Sequence, residues 1–368
     1  MADYKLCNIV DSQLEDITSE LSLPVVTGSS SNTYSQFNAQ SGTSNSSMQF
    51  QVQIPSMATA VNRHILVQSD IDILVELTGG TTQQWDPDEV LFDYGKTNSL
   101  QAFPLNSLIS TIQAQINNSN VTVSTRDVMS ALLKMYNYEE LAKYNSLTPS
   151  LIDSFYQDYR DSLGSNNNVI GNYSVGTFSK EYQPRGCFPV KLYSSDGKTP
   201  LNTLTVKADN AGKAPFASFI IRFTTTEPLL LFLSPFISGN SNNHASFLGL
   251  NTLNITLNLG DATRVMSNAF YSIGGVETIS NVTFSQANAS KLLMNFLNIP
   301  PQMMAKVEPK NVVNFNQYMS YNYNTNEAIP AKTTKTLIFS SVQLGSIPPP
   351  PMLCASLSAT KVAPSRTR

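Results

Sequence analysis

Residues 250–260 read LNTLNITLNLG. Leu253, Ile255, Leu257 and Leu259 fall on one side of an extended chain. Asn254, Thr256 and Asn258 fall on the other. A period of two is the mark of a strand with one dry face and one wet face. Here the wet face carries amides and a hydroxyl but no charge. MQFQVQI (48–54) repeats the pattern, with Met48, Phe50, Val52 and Ile54 set against Gln49, Gln51 and Gln53. In VQSDIDILVEL (67–77) the same period turns Val67, Ile71, Ile73, Val75 and Leu77 inward.

Strand patterns recur along the chain. FPLNSLISTIQAQI (103–116) is expected to be a strand region, NNSN (117–120) a turn, and Val121 and Val123 the start of a return strand. CFPVKLY (187–193), NTLTVK (202–207), FASFIIRFT (216–224), PLLLFLS (228–234), AFYSIGGVETISNVTFS (269–285) and SKLLMNFL (290–297) follow. SDG (195–197), DNAG (209–212) and SGNSNN (238–243) separate several of them. Two helices interrupt the series. One is expected over 126–135, with Val128, Ala131, Leu132 and Met135 on its apolar face. The other begins at Thr148 as N-cap with Pro149 next, and buries Ile152, Phe155, Tyr156 and Tyr159. Strands in series with two short helices predict an all-β sandwich.

Charge is scarce. Asp, Glu, Lys and Arg make up 13% of the 368 residues, about half the usual share. The net charge is −3, so the chain as a whole is not built to neutralise phosphates. Hydrophobic residues make up 41%, enough to bury a core. A surface with little charge repels its own copies weakly, which suits a subunit that packs against neighbours.

The two ends differ from the middle. Residues 1–45 are expected to form a polar arm, with LEDITSEL (14–21) as two helical turns. The N-terminus has acidic residues and no apolar stretch of the signal-peptide kind. Pro300 and Pro301 mark a seam, after which VVNFNQYMSYNYN (312–324) and TTKTLIFSSVQL (333–344) return to strand patterns. The last segment, 349–368, is Pro-rich and then basic, ending with Lys361, Arg366 and Arg368. No run is long enough to span a bilayer by a helix. Cys7, Cys187 and Cys354 lie far apart and suggest free thiols.

Nothing in the sequence assembles an active site. The two histidines, His64 and His244, are expected at the surface or in turns. GKT (197–199) lacks the earlier glycine of a phosphate loop and follows a hairpin turn. Asp70 and Asp72 share one strand face, and a solvated face is the expected reading. DPDE (86–89) with Asp93 has oxygen ligands without the glycine of a calcium loop. Trp85, the sole tryptophan, is the first candidate for a sugar platform, against the plainer reading of a loop residue packed on the barrel edge. Tyr271 and Phe284 are expected in the core or on a sheet face. The expectation is therefore no catalytic residue, no cofactor-binding residue, no metal site, and little or no contact with nucleic acid.

Specific stretches resemble a known family. EPLLLFLSPFISG (227–239) followed by FLGLNTLNITLNLGDATRV (247–265) resembles the end of the first jelly roll in viral double jelly-roll major capsid proteins. FPLNSLISTIQAQINNSNVTVSTRDVMSALL (103–133) resembles an earlier strand, turn and helix of that barrel. IPAKTTKTLIFSSVQLGSIP (329–348) resembles the opening of the second. The lineage is that of adenovirus hexon, polinton-like viruses and virophages. The resemblance implies a jelly-roll fold and a structural subunit of an icosahedral capsid, present in the virion and assembled inside the host cell. It implies a homotrimer contacting neighbouring capsomers, with minor capsid or penton proteins as further partners. The expected organisation is an arm at 1–45, a first jelly roll at 46–300 and the start of a second at 301–348. The second roll is expected to be incomplete, because too little chain follows for eight strands. The alternative is a virion-surface β-sandwich binding module, a spike or glycan-binding domain.

Overall fold

The computed structural model describes residues 5–10, 22–27, 32–56, 59–62, 64–94, 98–125, 129, 133, 137–150, 188–229, 246–268, 272–273 and 276–298. Two sheets enclose the main core. The smaller has four antiparallel strands: Ser119–Val123, Ile109–Ile116, Thr252–Leu259 and Ser47–Gln53, in that spatial order. The larger has nine strands, with Ser218–Pro228, Leu66–Leu77 and Ile279–Asn298 side by side at its centre.

The alternating pattern chooses the inner faces. Met48, Phe50, Val52, Ile112, Ala114, Leu253, Ile255 and Leu257 point in from the smaller sheet. Val67, Ile71, Ile73, Val75, Phe219, Ile221 and Phe223 point in from the larger. All belong to one continuous core. The register makes this possible. Ile255 lies opposite Phe50 on one side and Ala114 on the other, so a single layer of apolar side chains forms across three strands. Phe92 meets Phe219 edge to face at 5.0 Å between ring centroids.

The Ile279–Asn298 strand runs through 20 residues. Its pairing with Leu66–Leu77 shifts register between Ile279 and Asn281, Phe284 and Gln286, and Asn288 and Lys291. Such bulges bend a strand and let it follow a curled sheet. At the third bulge Ala289 takes a positive φ of 48°, and the hydroxyls of Ser69 and Ser290 pair at 2.8 Å within the buried layer. One hydroxyl donates to the other, and Ser69 Oγ also lies 3.3 Å from the Asn288 carbonyl oxygen as a donor, so both find partners where the bulge disturbs the apolar stripe.

The structure changes three expectations. Residues 32–44 are not a free arm: Asn32–Asn38 and Thr43–Ser44 pair with Ile279–Asn298, and Phe37 packs edge-on against Phe296 at 5.9 Å. The polar sequence suits an edge strand, where half the side chains face water. Ahead of them, Lys5–Val10 pairs with Ser22–Thr27. The FPLNSLISTIQAQI stretch is not all strand. Pro104–Leu108 is a helical turn, and the strand begins at Ile109. Pro104 fits the first helical turn, where its missing N–H costs nothing. Phe103, at a φ of 50°, turns the chain into it. A further helix, Tyr138–Ala142, lies between the two that were expected. The backbone is helical at 125, 129 and 133, and Met129 and Leu133 are buried. The helix expected over 152–159, the turns at 14–21, the 230–245 segment with His244, and everything from 299 onward lie outside the described residues.

Candidate functional site

The outer face of the four-stranded sheet is the surface the sequence pattern singled out. None of its four strands contains Asp, Glu, Lys, Arg or His. The register lines up the outward residues in rows. Gln51, Asn254, Gln115 and Asn120 make one row across all four strands. Gln49, Thr256, Gln113 and Thr122 make the next. Bonds within the rows order part of the face: Asn254 donates to Gln115 Oε1 at 3.2 Å, and Asn258 donates to Thr111 Oγ1 at 2.8 Å. The glutamines at 49, 51, 113 and 115 are exposed. Each carries both a donor and an acceptor toward solvent.

The outer face of the larger sheet has another character. There Asp72, Arg222 and Gln286 are aligned across the three central strands. Arg222 donates to both carboxylate oxygens of Asp72, at 2.6 and 2.7 Å, and Gln286 Nε2 donates to Asp72 Oδ2 at 3.0 Å. Tyr193 lies against the guanidinium, 4.3 Å from ring centroid to Cζ. Asp72 is therefore fully buried, which corrects the expectation of a solvated face. The side chains of the neighbouring strands cover it, and a single-strand reading cannot see them. Asp70 accepts from Thr224, and Glu76 from Asn281 at 2.9 Å. The two carboxylates at 70 and 72 have different cross-strand partners, so no shared cation site forms between them.

Sequence reasoning missed one buried group altogether. Glu227 ends the inward-facing series of its strand and is fully buried. Its Oε1 accepts from the Leu105 N–H at 2.9 Å and from the Thr148 hydroxyl at 3.0 Å. Its Oε2 accepts from the Asn106 N–H and from Asn106 Nδ2, both at 2.8 Å. The first turn of any helix leaves backbone N–H groups without partners. Phe103, at the N-cap, has no side-chain oxygen to offer, so Glu227 satisfies them from across the barrel end. Burial outweighs the four donors and pushes the carboxyl up to about 7. The only signal in the sequence was an isolated acid beside the apolar run PLLLFLS.

His64 sits close to this junction. It is half-buried, with Nε2 2.8 Å from the Tyr144 hydroxyl, and burial lowers its pKa. Tyr144 stacks on His64 and meets Phe103 edge-on. His64 is thus a packed, hydrogen-bonded residue in the short connection between Thr59–Asn62 and Leu66–Leu77. Trp85 is only 6% exposed, so it offers no platform to a sugar ring, and it packs within the core rather than on the barrel edge where the plainer expectation had it. The glycan-binding alternative loses its first candidate residue. Gly197 closes the hairpin turn at a φ of 71°, and Asp196 accepts from the Ser194 hydroxyl and the Lys198 N–H. GKT is therefore turn chemistry. Asp93 accepts from Thr205 between paired strands. Phe284 is partly buried against the core. Cys187, Tyr271, Cys354, Lys361, Arg366 and Arg368 lie outside the described residues.

Among the described residues the candidate features are two sheet faces and a buried carboxylate. Comparison with known proteins gives it a family. The Sputnik virophage protein named "Putative capsid protein V20" is 25% identical over 342 residues, covering 90% of this chain and 51% of that protein. The structure of the Sputnik virophage contains a chain that aligns with a TM-score of 0.56 at 22% identity, over 81% of this chain and 54% of that one. The mavirus major capsid protein aligns more loosely, with a TM-score of 0.45 at 16% identity, over 82% of this chain and 52% of that one. The chain spans about half the length of these relatives. The profile of the "Sputnik virophage major capsid protein 1st domain" matches residues 2–297. On that match the chain belongs to the family of the virophage major capsid protein first domain, a family of viral shell proteins and not of enzymes.

Proposed function

We propose that this chain is a structural subunit of an icosahedral viral capsid, and that its principal partner is itself. The observation that carries the reading is the family match across the whole two-sheet sandwich, residues 2–297. Other features support it. Among the described residues, Asp72 is paired with Arg222 and Glu227 is held by the helix turn at 104–108, so both buried acids serve the fold. One complete sheet face is polar, uncharged and open to solvent.

In this reading the sandwich is the first of two jelly rolls, and residues 301–348 open the second. The Pro-rich and basic segment 349–368 follows it. The subunits form a homotrimer, and trimers tile the shell, with minor proteins at its vertices. Assembly is tested by concentrating the purified full chain with a crowding polymer and imaging it by negative-stain electron microscopy. Ordered sheets or shells with a capsomer-sized repeat are expected. Amorphous precipitate alone, or dispersed particles at every concentration, would contradict the reading.

A further inference from the structure

Resting on the shell-subunit reading, we infer that the uncharged face of the four-stranded sheet is a self-complementary contact, docking against the same face of a second copy across a local twofold axis. Three observations carry this. First, identical copies bring identical charges to a contact, and like charges set face to face are costly. The four strands of this face contain no charged residue, while the opposite sheet carries Asp72, Arg222, Asp70 and Glu76 outside its core. Second, Gln and Asn each present a donor and an acceptor, so a field of amides can meet a copy of itself and satisfy both. A twofold contact requires that self-complementarity. Third, the size of the face fixes which contact it suits. Strands lie about 4.8 Å apart and rise about 3.4 Å per residue, so three strands with seven paired positions and a fourth with five present a flat footprint of roughly 420 Å².

A stable pair of proteins commonly buries about 800 Å² on each partner. This face falls short of that, and its amides gain little from leaving water. A single such contact is therefore weak and reversible. It cannot hold the smallest oligomer together. It suits the repeated contact between already assembled units, where many copies act at once. Bonds within the face, from Asn254 to Gln115 and from Asn258 to Thr111, hold several of its groups in place before contact.

The test uses charge reversal in the full chain. One variant carries Gln51→Lys and Gln113→Lys, and the other Gln51→Glu and Gln113→Glu. Both positions are exposed, so folding is retained, and circular dichroism with thermal midpoints checks this. Each variant alone should keep the wild-type mass of the small oligomer but form no ordered arrays. Mixed in equal amounts, the two variants should regain arrays, because opposite charges then meet across the contact. Arrays formed by either variant alone as readily as by the wild type would overturn the inference and leave the shell reading intact. So would failure of the mixture while both variants remain folded small oligomers. If the wild type itself forms no array, the shell reading falls and takes this inference with it.

Discussion

Glu227 is the residue on which local order most depends. Four donors converge on it, and its removal would leave them buried without an acceptor. Glu227→Ala should destabilise the fold by roughly 3–5 kcal/mol, the usual cost of orphaning a buried polar cluster. Glu227→Gln keeps the shape but aims an amide N–H₂ at donors, and should cost about 1–3 kcal/mol. The pH dependence has a definite sign. The folded carboxyl titrates at about 7 and the unfolded one at 4.5, so the folded chain holds a proton that the unfolded chain has released. That stabilisation is fully present below 4.5 and is lost as pH rises through 7. His64, whose pKa burial lowers, acts oppositely and loses its contribution as pH falls. Comparing wild type with Glu227→Gln isolates the carboxyl. In urea titrations the advantage of the wild type should shrink by about 2–3 kcal/mol between pH 5 and pH 8. An advantage independent of pH would show that Glu227 is ionised throughout.

Gly212 sets a second limit at this scale. It sits at a φ of 71°, and its carbonyl accepts from the Trp85 N–H. A Cβ there would collide with the Trp85 carbonyl oxygen and the Gln84 amide. Gly212→Ala should therefore lower the thermal midpoint by several degrees, through both the backbone conformation and the clash. An unchanged midpoint would mean that the loop at 209–213 moves freely away from Trp85.

Among the elements, the three central strands of the larger sheet are clamped by Asp72. Removing Arg222 leaves a fully buried carboxylate with Gln286 as its remaining side-chain donor. Arg222→Ala should destabilise by about 3–5 kcal/mol, and Asp72→Asn combined with Arg222→Ala by less than the sum of the two. A double-mutant cycle with strictly additive effects would refute the clamp. What the sequence revealed here, and what it hid, has a physical basis. The inward positions of Ser47–Gln53, Leu66–Leu77 and Thr252–Leu259 were legible, because a period of two is a property of one strand by itself. The partnership of Asp72 with Arg222 was not, because 150 residues separate them and only sheet register brings them together. Asn32–Asn38 was read as an arm for the same reason: an edge strand needs no apolar run of its own. The helical turn at Pro104–Leu108 was hidden because the carboxylate that satisfies its N–H groups comes from Glu227. The neutral face, the candidate contact surface, was legible residue by residue, and the register added only its rows.

At the scale of the whole molecule, the same scarcity of charge acts twice. It allows both sheets to close over one core with few buried ions, and it leaves a complete outer face that a copy can approach without electrostatic cost. The central claim is that a viral shell is built from copies of the chain, and mass in solution addresses it most directly. Light scattering after size exclusion, on the full chain at several loading concentrations, should give a discrete species near three times the chain mass of 40.3 kDa. A monomer of 40.3 kDa that persists at every concentration would contradict the account.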